Sequence, residues 1–467
     1  MKFKKLICSF LCLIITFAFS FGNEKLDNDL AYLKRVLSEA YAGYEYNVEQ
    51  GFDFDEAIEN VRKLYLKKAA ENQLDENELS DDLLAECINS EILTKLKVPD
   101  NHFQIIAKNY RYGFNPQIWY CSRVFFTKKG DDYYVASSRG FRIKRNAKYT
   151  GNVQNLFRVI KSNKEYYVFG VFPNEPIKKA EISINNKSYM TKVRIRNSWK
   201  KNIPGHLGMK KTKKSLYLSI SDCLFNGSDR TDHAILAKKF QNHIHELRAH
   251  SFENVIIDLR GNTGGVIGNI TPVLSALNFE GDYKNSDKVD KKLGTFGGGK
   301  LKHSELTAEA SKEWAYENPA YDRFIVEDST TEYKRNNLVK EYDFEPVYKG
   351  KLIILCDFMT ASASETFIAY SYIFKNVYLL GTNSSGTIDF GGVYDYYLPE
   401  SGVRLHLASV SFKETDYLQK NSHWHGDTKG FYPDYWCTDN SLLPTLVAIT
   451  KDKKLKKSLR GLHKQLL

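Results

Sequence analysis

The sequence predicts an α/β protein whose core is preceded by an N-terminal helical region and a small β-rich domain. Three observations support this prediction. Apolar residues recur at three- and four-residue spacing near the start of the chain, short β-rich segments separated by turns follow, and strand-like and helix-like segments then alternate. The chain has 467 residues, of which 42% are hydrophobic and 26% charged, a composition that is typical of globular proteins. Such a length suggests about three structural units.

The charge of the chain does not indicate a nucleic-acid partner. Lys and Arg number 67 and Asp and Glu number 56, so the formal charge is +11. The excess is mild and scattered, whereas a polyanion-binding surface requires basic residues gathered on one face. The two clearest basic clusters, 210–214 and 451–457, are expected to be solvated.

Residues 1–22 have the features of a secretory signal peptide. A basic start is followed by an apolar stretch from Leu6 to Phe19 and by small residues. We therefore expect an exported protein, periplasmic or extracellular, whose membrane contact is limited to this segment or to a basic tail. An uncleaved anchor is the alternative, although the apolar stretch is short for a membrane span.

The remaining cysteines do not indicate a disulfide scaffold. They are widely spaced, odd in number and without a CxxC pair, so buried free thiols are the expected state. They are Cys87, Cys121, Cys223, Cys356 and Cys437.

An N-terminal helical region is expected over 23–110, where it ends in a D-x-H segment. Asp53 precedes the second apolar stretch of this region and Ser80 the third. Acidic and hydroxyl side chains favour a helix start at both places.

The periodicity changes at a small β-rich domain, expected over 111–214. Its segment 206–209 is at best a degenerate form of the carboxylate-binding loop of PDZ domains. The α/β core is expected over 215–450, and a basic tail over 451–467. A polar insertion at 280–345 is either a lid over a site or a surface excursion.

The segment VIIDLRGNTGG at 255–265 joins a buried strand to a glycine-rich turn and a helix. Glycine allows backbone N–H groups to approach and bind an anion. The segment lacks both the GxGxxG fingerprint of dinucleotide binding and the Gly-Lys-Ser/Thr of a P-loop. The alternative is a tight strand-to-helix turn without a ligand.

A second segment, TASASE at 360–365, lies between a strand and a helix. Ser362 stands at the helix start, where the dipole and free N–H groups favour an oxyanion. Ser362 and Glu365 also form the S-x-x-E pattern of a capping box, which begins many helices without catalysis. Taken alone, this segment favours a helix cap over a catalytic serine.

Together the two segments resemble the S41 peptidases, the family of C-terminal processing and tricorn-like proteases. VIIDLRGNTGG is similar to the family's D-L-R-G-N-x-G-G signature, and KLIILCDFMTASASETF to its strand, nucleophile turn and helix. The segments NVYLLGT at 376–382 and GFYPDYW at 430–436 are similar to the later strand and the G-x-x-P-D segment. The resemblance covers about 215–437 and implies a ClpP/crotonase-like α/β core that needs no metal and no organic cofactor.

The resemblance places the nucleophile on Ser362. It implies an oxyanion hole formed by the backbone N–H of Gly264 or Gly265 with that of Ala363. In the tail-specific branch a lysine is the general base, and this chain has Thr387 in its place. A hydroxyl cannot usefully accept a proton from another hydroxyl at neutral pH, so the base must lie elsewhere.

The tricorn-like branch takes its base from the D-x-H segment, which is Asp100-Asn101-His102 in this chain. The resemblance therefore implies that His102 is the base and that Asp427, just upstream of Gly430, is the acid that orients it. An imidazole can take and return the serine proton, and a carboxylate fixes its tautomer. Asn101 replaces the family's second serine, and its amide can still donate a hydrogen bond.

The favoured prediction is an exported serine endopeptidase that acts on unfolded proteins or peptides through a Ser-His-acid mechanism. An exposed loop histidine at 102, a solvated turn at 427 and a base supplied by His423 or His425 remain open alternatives. The chain could also be an inactive peptide-binding protein of the same fold, or a surface adhesion protein. No oligomeric state is indicated. Supporting polar side chains are expected at Asn101, Thr387 and Glu365.

Overall fold

In a computed structural model of the protein, the described residues are 24–74, 78–138, 143–195, 207–224, 230–278, 288, 299–317, 345–437 and 439–459. The predicted signal peptide, much of the predicted insertion and the end of the predicted tail lie outside these residues. The helices are α1 (Glu24–Ala40), α2 (Tyr44–Glu49), α3 (Phe54–Glu71), α4 (Asp81–Glu91), α5 (Arg230–Ala249), α6 (Pro272–Leu277), α7 (Glu305–Glu317), α8 (Ala363–Ser371), α9 (Asp416–Gln419), α10 (Asp439–Thr450) and α11 (Leu455–Ser458). The strands are β1 (Gln104–Ile106), β2 (Arg111–Gly113), β3 (Tyr120–Lys129), β4 (Asp132–Ser138), β5 (Leu156–Lys161), β6 (Lys164–Val171), β7 (Lys179–Ile184), β8 (Lys187–Lys192), β9 (Arg194–Ile195), β10 (Leu207–Lys211), β11 (Ser215–Ile220), β12 (Asn254–Asp258), β13 (Lys300–Leu301), β14 (Lys351–Cys356), β15 (Val377–Gly381), β16 (Phe390–Tyr397), β17 (Arg404–Ser411) and β18 (Tyr435–Trp436).

The chain forms two compact units, and each is built from separate stretches of sequence. The first unit comprises 1–114, 300–334 and 390–411, and the second contains all other residues. The described part of the predicted insertion thus contributes β13 and α7 to the first unit.

Helices dominate the start of the first unit, which confirms the predicted N-terminal helical region. Asp53 caps α3 by accepting a hydrogen bond from the Glu56 backbone N–H (3.0 Å). Ser80 caps α4 in the same way, through the Leu83 backbone N–H (3.3 Å). The apolar faces of these helices pack into one cluster together with Leu306 of α7 and residues of β16 and β17.

The sheet of the first unit contains the order β13-β17-β1-β2. The strand β16 lies off this path and also pairs with β17. Its strands are antiparallel. The fully buried Asp29 of α1 accepts hydrogen bonds from the backbone N–H groups of Glu400 (2.8 Å) and Ser401 (3.0 Å). This carboxylate ties the first helix to the turn between β16 and β17.

The second unit contains the predicted β-rich domain. Its main sheet has the order β4-β3-β6-β5 with β9 on β3, and β7 and β8 form a separate hairpin. Trp119 and Phe157 pack against Trp436, with ring centroids 4.8 and 4.6 Å from the Trp436 ring. These aromatic contacts join the β-rich part to the last strand of the core within the same unit.

The core of the second unit is a six-stranded sheet with the order β10-β11-β12-β14-β15-β18. The strands from β11 onward are parallel, and only β10 is antiparallel. Alternate side chains of the central strands face two apolar clusters, one containing α5, α6 and α8 and the other α10. Helices therefore cover both faces, as parallel strands require, and the predicted α/β core is confirmed.

The strand β10 occupies 207–209 of the segment that was compared with the PDZ loop, and residue 206 lies outside the described residues. One local prediction is corrected. The helix that is expected after the glycine-rich turn does not begin directly there but is limited to α6, preceded by a 3₁₀ turn at Ile267–Asn269. Pro272 causes this break because it has no N–H to donate and favours the first position of a helix.

The five cysteines of the described residues are free and buried, as their spacing predicts. Burial raises the pKa of the Cys223 thiol to about 12, so this group is inert at neutral pH. Within the described ranges, no helix combines the length and the apolar character that crossing a bilayer requires.

A buried ion pair anchors the carboxyl end of β12. Arg260 Nε and Nη2 donate to the two oxygens of the Asp258 carboxylate (2.9 and 2.8 Å), and both residues are almost inaccessible to solvent. The Tyr217 hydroxyl donates to the same carboxylate. Two N–H groups in a fixed fork match the two carboxylate oxygens, which makes this pair strong and well defined in geometry.

Breaking this pair should destabilise the second unit. Asp258→Asn leaves the buried Arg260 charge uncompensated, and we expect a loss of about 3–5 kcal/mol in the free energy of unfolding. Tyr217→Phe removes one hydrogen bond and should cost about 1–2 kcal/mol. Urea unfolding monitored by tryptophan fluorescence measures both, with the exposed Glu253→Gln as the control that leaves stability unchanged. A loss for Asp258→Asn no larger than that for Tyr217→Phe would contradict this account.

Candidate active site

Two turns meet at the carboxyl ends of β12 and β14, because these strands pair in parallel and in register. We call them the glycine turn (260–265) and the serine turn (357–362). The Asp357 carboxylate accepts a hydrogen bond from the Gly261 backbone N–H (2.9 Å). The Ala361 backbone N–H donates to the Asn262 carbonyl (3.0 Å), so the two turns form one hydrogen-bonded structure.

The two turns touch at Gly264. Its φ of +103° is unfavourable for any residue with a side chain. A Cβ placed there would lie 2.7 Å from Ser362 Cβ and 3.0 Å from the Ala363 nitrogen. Glycine is therefore required at this position both for its conformation and for the close approach of the two backbones.

The predicted oxyanion donors differ in their hydrogen bonding. The Gly264 backbone N–H donates to Asn262 Oδ1 (2.9 Å), and Asn262 is itself held by donation to the Ile220 carbonyl (3.1 Å). For the Gly265 N–H, no acceptor is found among the described residues. The Ala363 N–H opens α8, where N–H groups have no acceptor within the helix. Of the three predicted donors, the Gly264 N–H is thus the one that is seen to donate to another acceptor within the described residues.

Ser362 has a backbone conformation that residues with side chains rarely adopt. Its φ and ψ are 53° and −122°, and it stands directly before α8. Conformations of this kind cost about 1–3 kcal/mol and cluster at functional sites. Ser362 is partly exposed, whereas the following residues Ala363, Ser364 and Glu365 are buried.

Glu365 lies in the first turn of α8 with its carboxylate fully buried. It accepts a hydrogen bond from the Ser362 backbone N–H (3.2 Å), which forms one half of the predicted capping box. It also accepts from Ser384, Gly386 and Thr387. Burial raises the pKa of Glu365 to about 7, although all four hydrogen bonds act to lower it.

Thr387 and Asp427 are close to one another in the second unit. The Thr387 hydroxyl donates to Ser385 Oγ (2.9 Å). The buried Asp427 accepts hydrogen bonds from the backbone N–H groups of Ile388 (3.1 Å) and Asp389 (2.9 Å). Because Asp427 is buried and carries these contacts, the alternative of a solvated turn does not describe it.

His102 and Asn101 lie in the first unit, and both are buried. The His102 backbone N–H donates to Asp100 Oδ1 (2.8 Å), and its Nδ1 is 4.0 Å from the same oxygen. Burial, followed by the charge of His406, lowers the pKa of His102 to about 4, and a hydrogen bond to the Phe390 backbone opposes this lowering. His102 is therefore a neutral, buried imidazole rather than an exposed loop histidine.

The two alternative histidines are held by aromatic neighbours. His423 Nδ1 lies 2.9 Å from the Tyr432 carbonyl and Nε2 lies 3.7 Å from Asp434, and the ring stacks on Tyr372. The Nδ1 of His423 is therefore engaged by a carbonyl, whereas the distance from Nε2 to Asp434 is too long for a hydrogen bond. The exposed His425 stacks on Tyr432 at 3.8 Å, and burial of part of the ring lowers the pKa of His425.

Three residues that hold the site were not predicted as functional, namely Asp357, Asn262 and Ser384. Asp357 follows a buried strand directly, and Asn262 lies inside the glycine motif, so position gave a usable signal for both. Ser384 connects Glu365 to the Phe431 backbone N–H, and nothing in its sequence context indicates this role. Within the described residues, no group of three or more His, Cys, Asp or Glu side chains is arranged to hold a metal ion.

The segment that carries both turns and Asp427 has a recognisable family pattern. Residues 216–436 match the model of peptidase family S41. This part of the chain therefore has the sequence pattern of peptidase family S41. The match supports a hydrolase, a serine-type peptidase, with the α/β core that the structure shows. No curated protein sequence matches the chain.

Several solved structures are similar to this chain along nearly its whole length. Mature CPAF complexed with lactacystin is 13% identical, with 96% of this chain and 99% of that chain covered and a TM-score of 0.39. A putative peptidase from Parabacteroides merdae is 12% identical, with coverages of 92% and 97% and a TM-score of 0.37. The photosystem II D1 C-terminal processing protease is 12% identical, with the same coverages and a TM-score of 0.33. The resemblance to family S41 rests on the match of 216–436 and not on these similarities.

Substitution of Gly264 should disrupt the contact between the two turns. Gly264→Ala adds a methyl group within contact distance of Ser362 and Ala363, at a φ that disfavours alanine. We expect a clearly lower unfolding midpoint and loss of any reaction at Ser362. The matched control is Gly130→Ala, in the same unit, where φ is also positive (+60°) but a Cβ meets nothing within 4 Å. Equal effects of the two substitutions would mean that conformation alone, and not the close approach, requires Gly264.

Proposed function

We propose that this chain is an exported serine endopeptidase that hydrolyses peptide bonds in unfolded proteins or peptides, with Ser362 as the nucleophile. The observation that carries the proposal is the placement of Ser362 at a strained strand-to-helix turn, packed against Gly264 and followed by the Ala363 N–H. Such a turn presents a hydroxyl beside backbone donors, as acyl transfer requires.

In the proposed reaction, Ser362 Oγ attacks the scissile carbonyl and the N–H groups of Gly265 and Ala363 stabilise the oxyanion. Both donors are backbone groups held by the two turns, so they need no reorganisation when charge develops. Release of the amine product leaves an acyl-enzyme on Ser362, and a water molecule then hydrolyses it by the reverse set of proton transfers.

His102 is proposed as the group that takes and returns the serine proton. Because the pKa of His102 is lowered to about 4, its imidazole is neutral and able to accept a proton at physiological pH. The same burial makes the imidazolium unfavourable, so the reaction requires a carboxylate to stabilise it. Asp427 is the proposed carboxylate, as the resemblance to tricorn-like proteases implies.

Export and substrate class are proposed from the sequence. The basic and apolar start of the chain supports export, and the resemblance to C-terminal processing proteases supports unfolded chains or peptides as substrates. The absence of a lysine at Thr387 favours His102 as base within the same reaction.

Cleavage of casein by the mature chain tests this reaction. Ser362→Ala and His102→Ala should each lower kcat/KM by at least about 10³-fold, because each removes a group that acts in the proton-coupled attack. A fluorophosphonate should label the wild-type chain and not Ser362→Ala. Ser364→Ala, in the same stretch of α8, is the control that keeps the label.

Three other outcomes would overturn parts of the proposal. A wild-type chain that is neither active nor labelled would favour an inactive peptide-binding protein. Activity that survives His102→Ala but not Ser362→Ala would move the base to His423 or His425. Activity gained only by Thr387→Lys would mean that the chain lacks an effective base.

Asp427→Asn separates an electrostatic role of Asp427 from a purely structural one. The amide oxygen can still accept the two backbone hydrogen bonds from Ile388 and Asp389, but the negative charge is lost. If Asp427 stabilises the imidazolium, kcat should fall by about 10²- to 10⁴-fold while the unfolding midpoint changes little. The control is Asp452→Asn, a buried carboxylate of the same unit that also accepts a backbone hydrogen bond. Unchanged kcat in Asp427→Asn would leave Asp427 with a structural role only.

A further inference from the structure

The carboxylate of Glu365 joins the serine turn to the segment 384–387, which contains the position of the family's lysine. Its Oε2 accepts hydrogen bonds from the backbone N–H groups of Ser362 (3.2 Å) and Thr387 (2.7 Å). Its Oε1 accepts from the Gly386 backbone N–H (2.8 Å) and from the Ser384 hydroxyl. Two chain segments that are separated by about twenty residues are thus held by one side chain.

We call the Glu365 carboxylate and its four hydrogen-bond donors (Ser362, Ser384, Gly386 and Thr387) the clamp. The clamp is connected by further hydrogen bonds to the segment that carries Asp427. Ser384 Oγ also accepts a hydrogen bond from the Phe431 backbone N–H (2.6 Å), and the Ser384 N–H donates to the Phe431 carbonyl (3.1 Å). The Thr428 backbone N–H donates to the Gly386 carbonyl (2.8 Å). Movement of the Glu365 carboxylate would therefore be transmitted to Ser362 on one side and to the neighbours of Asp427 on the other.

The four hydrogen bonds to Glu365 favour its ionised form, whereas burial favours its neutral form. Three of its four partners are backbone N–H groups, which can donate but never accept. A proton on the carboxyl group could be donated only to Ser384 Oγ, which already accepts from Phe431. Protonation must therefore weaken contacts of the clamp, because Ser384 would have to turn its own hydrogen away from Glu365.

No charged side chain is among the causes that set the pKa of Glu365, which are burial and the four hydrogen bonds. The other titratable group that responds to its charge is the buried thiol of Cys356 at the end of β14. The pKa of Cys356 is raised well above its usual range by burial, then by Asp357 and then by Glu365, so this thiol stays neutral. Arg260 acts on Cys356 in the opposite direction.

We propose that the Glu365 carboxylate is a charge-dependent positioning residue, which in its ionised form holds Ser362 in the reactive conformation and on protonation releases it. This inference rests on the proposed nucleophilic role of Ser362. Glu365 does not touch substrate, and it acts through the backbone of the serine turn.

The direction of the pH dependence follows from the raised pKa. Glu365 titrates at about 7 in the folded chain against a usual value of 4.5, so the clamp is complete only above about pH 7. His102 loses its proton at about 4 and is already a base well below that pH. Activity should therefore fall as the pH drops through about 7, although His102 alone would sustain it to about 4.

Folding stability should respond in the opposite sense. Because the pKa of Glu365 is higher in the folded chain than in the unfolded chain, its contribution to stability is fully present below about 4.5 and is lost as the pH rises through about 7. Protonation of Glu365 would thus not itself unfold the chain. His102 acts in the opposite sense, because its lowered pKa means that its contribution to stability is lost as the pH falls from about 6.5 towards about 4.

The experiment compares wild type with Glu365→Gln and Glu365→Asp, measuring kcat and KM on fluorescein-labelled casein between about pH 5 and about pH 9. Glu365→Gln cannot ionise and presents an N–H₂ group to N–H donors. Its kcat should fall about 10- to 100-fold with little change in KM, and its acid limb should move from about 7 to about 4. Glu365→Asp keeps the charge and should retain an acid limb within about one pH unit of wild type. The exposed Glu253→Gln is the control with a wild-type profile.

A second measurement does not depend on activity. Hydrogen exchange is measured for peptides covering 360–366 and 384–388, and the rates are corrected for intrinsic amide exchange to give protection factors. In wild type these protection factors should fall below about pH 7, and in Glu365→Gln they should not change. Failure of the proposed function appears as a wild-type chain without activity or Ser362 labelling, whatever the exchange result. Three results would overturn the inference itself. These are a wild-type acid limb near 4, a Glu365→Gln profile equal to that of wild type, or protection factors of both segments that do not change with pH.

Discussion

The parallel pairing of β12 with β14 is the constraint on which the candidate site depends. In-register pairing brings the ends of these strands to the same level, so the glycine turn and the serine turn are adjacent. Register is well determined because both faces of the strands are buried. Val255 and Ile257 face one apolar cluster and Ile256 the other, so a slip of one residue would expose each set to the wrong neighbours. The hydrophobic core thus helps to fix the distance between Gly264 and Ser362, together with the polar contacts between the two turns.

Buried carboxylates then stabilise the irregular backbone of the turns. Turns lack the regular partners of helices and sheets, yet their N–H groups must be satisfied when they are buried. Asp357, Glu365 and Asp427 each accept hydrogen bonds from the N–H groups of a turn. The electrostatic setting of Glu365 differs from that of Asp258, whose charge is matched by Arg260. Glu365 has no such cation among the causes of its pKa, and this explains why burial brings that pKa close to neutrality.

The first unit is built from segments that are far apart in the sequence. The segment 390–411 supplies its two longest strands, and the segment 300–317 adds a short strand and a helix to its core. His102 lies in this unit, next to strand β1, and its pKa is set there by burial, by His406 of β17 and by the backbone of Phe390. The chemistry available to His102 is therefore determined by the packing of distant segments and not by the D-x-H segment alone.

The sequence by itself determined the α/β core, the helical start with its caps at Asp53 and Ser80, and the resemblance of the core to the S41 peptidases. These features depend on local periodicity, on local capping and on short motifs, all of which are contained within a few consecutive residues. Other features were decided only by the tertiary structure. These are the roles of Asn262 and Ser384, the hydrogen bond from the Gly264 N–H to Asn262, and the joining of 300–317 and 390–411 to the first unit. Each of these depends on contacts between residues distant in sequence, and local patterns carry no information about which distant partner a backbone N–H will find. The clamp formed by Glu365 shows both sides of this division. Its place at the start of α8 and its hydrogen bond from the Ser362 N–H follow from the S-x-x-E pattern, whereas its other three partners follow from the fold.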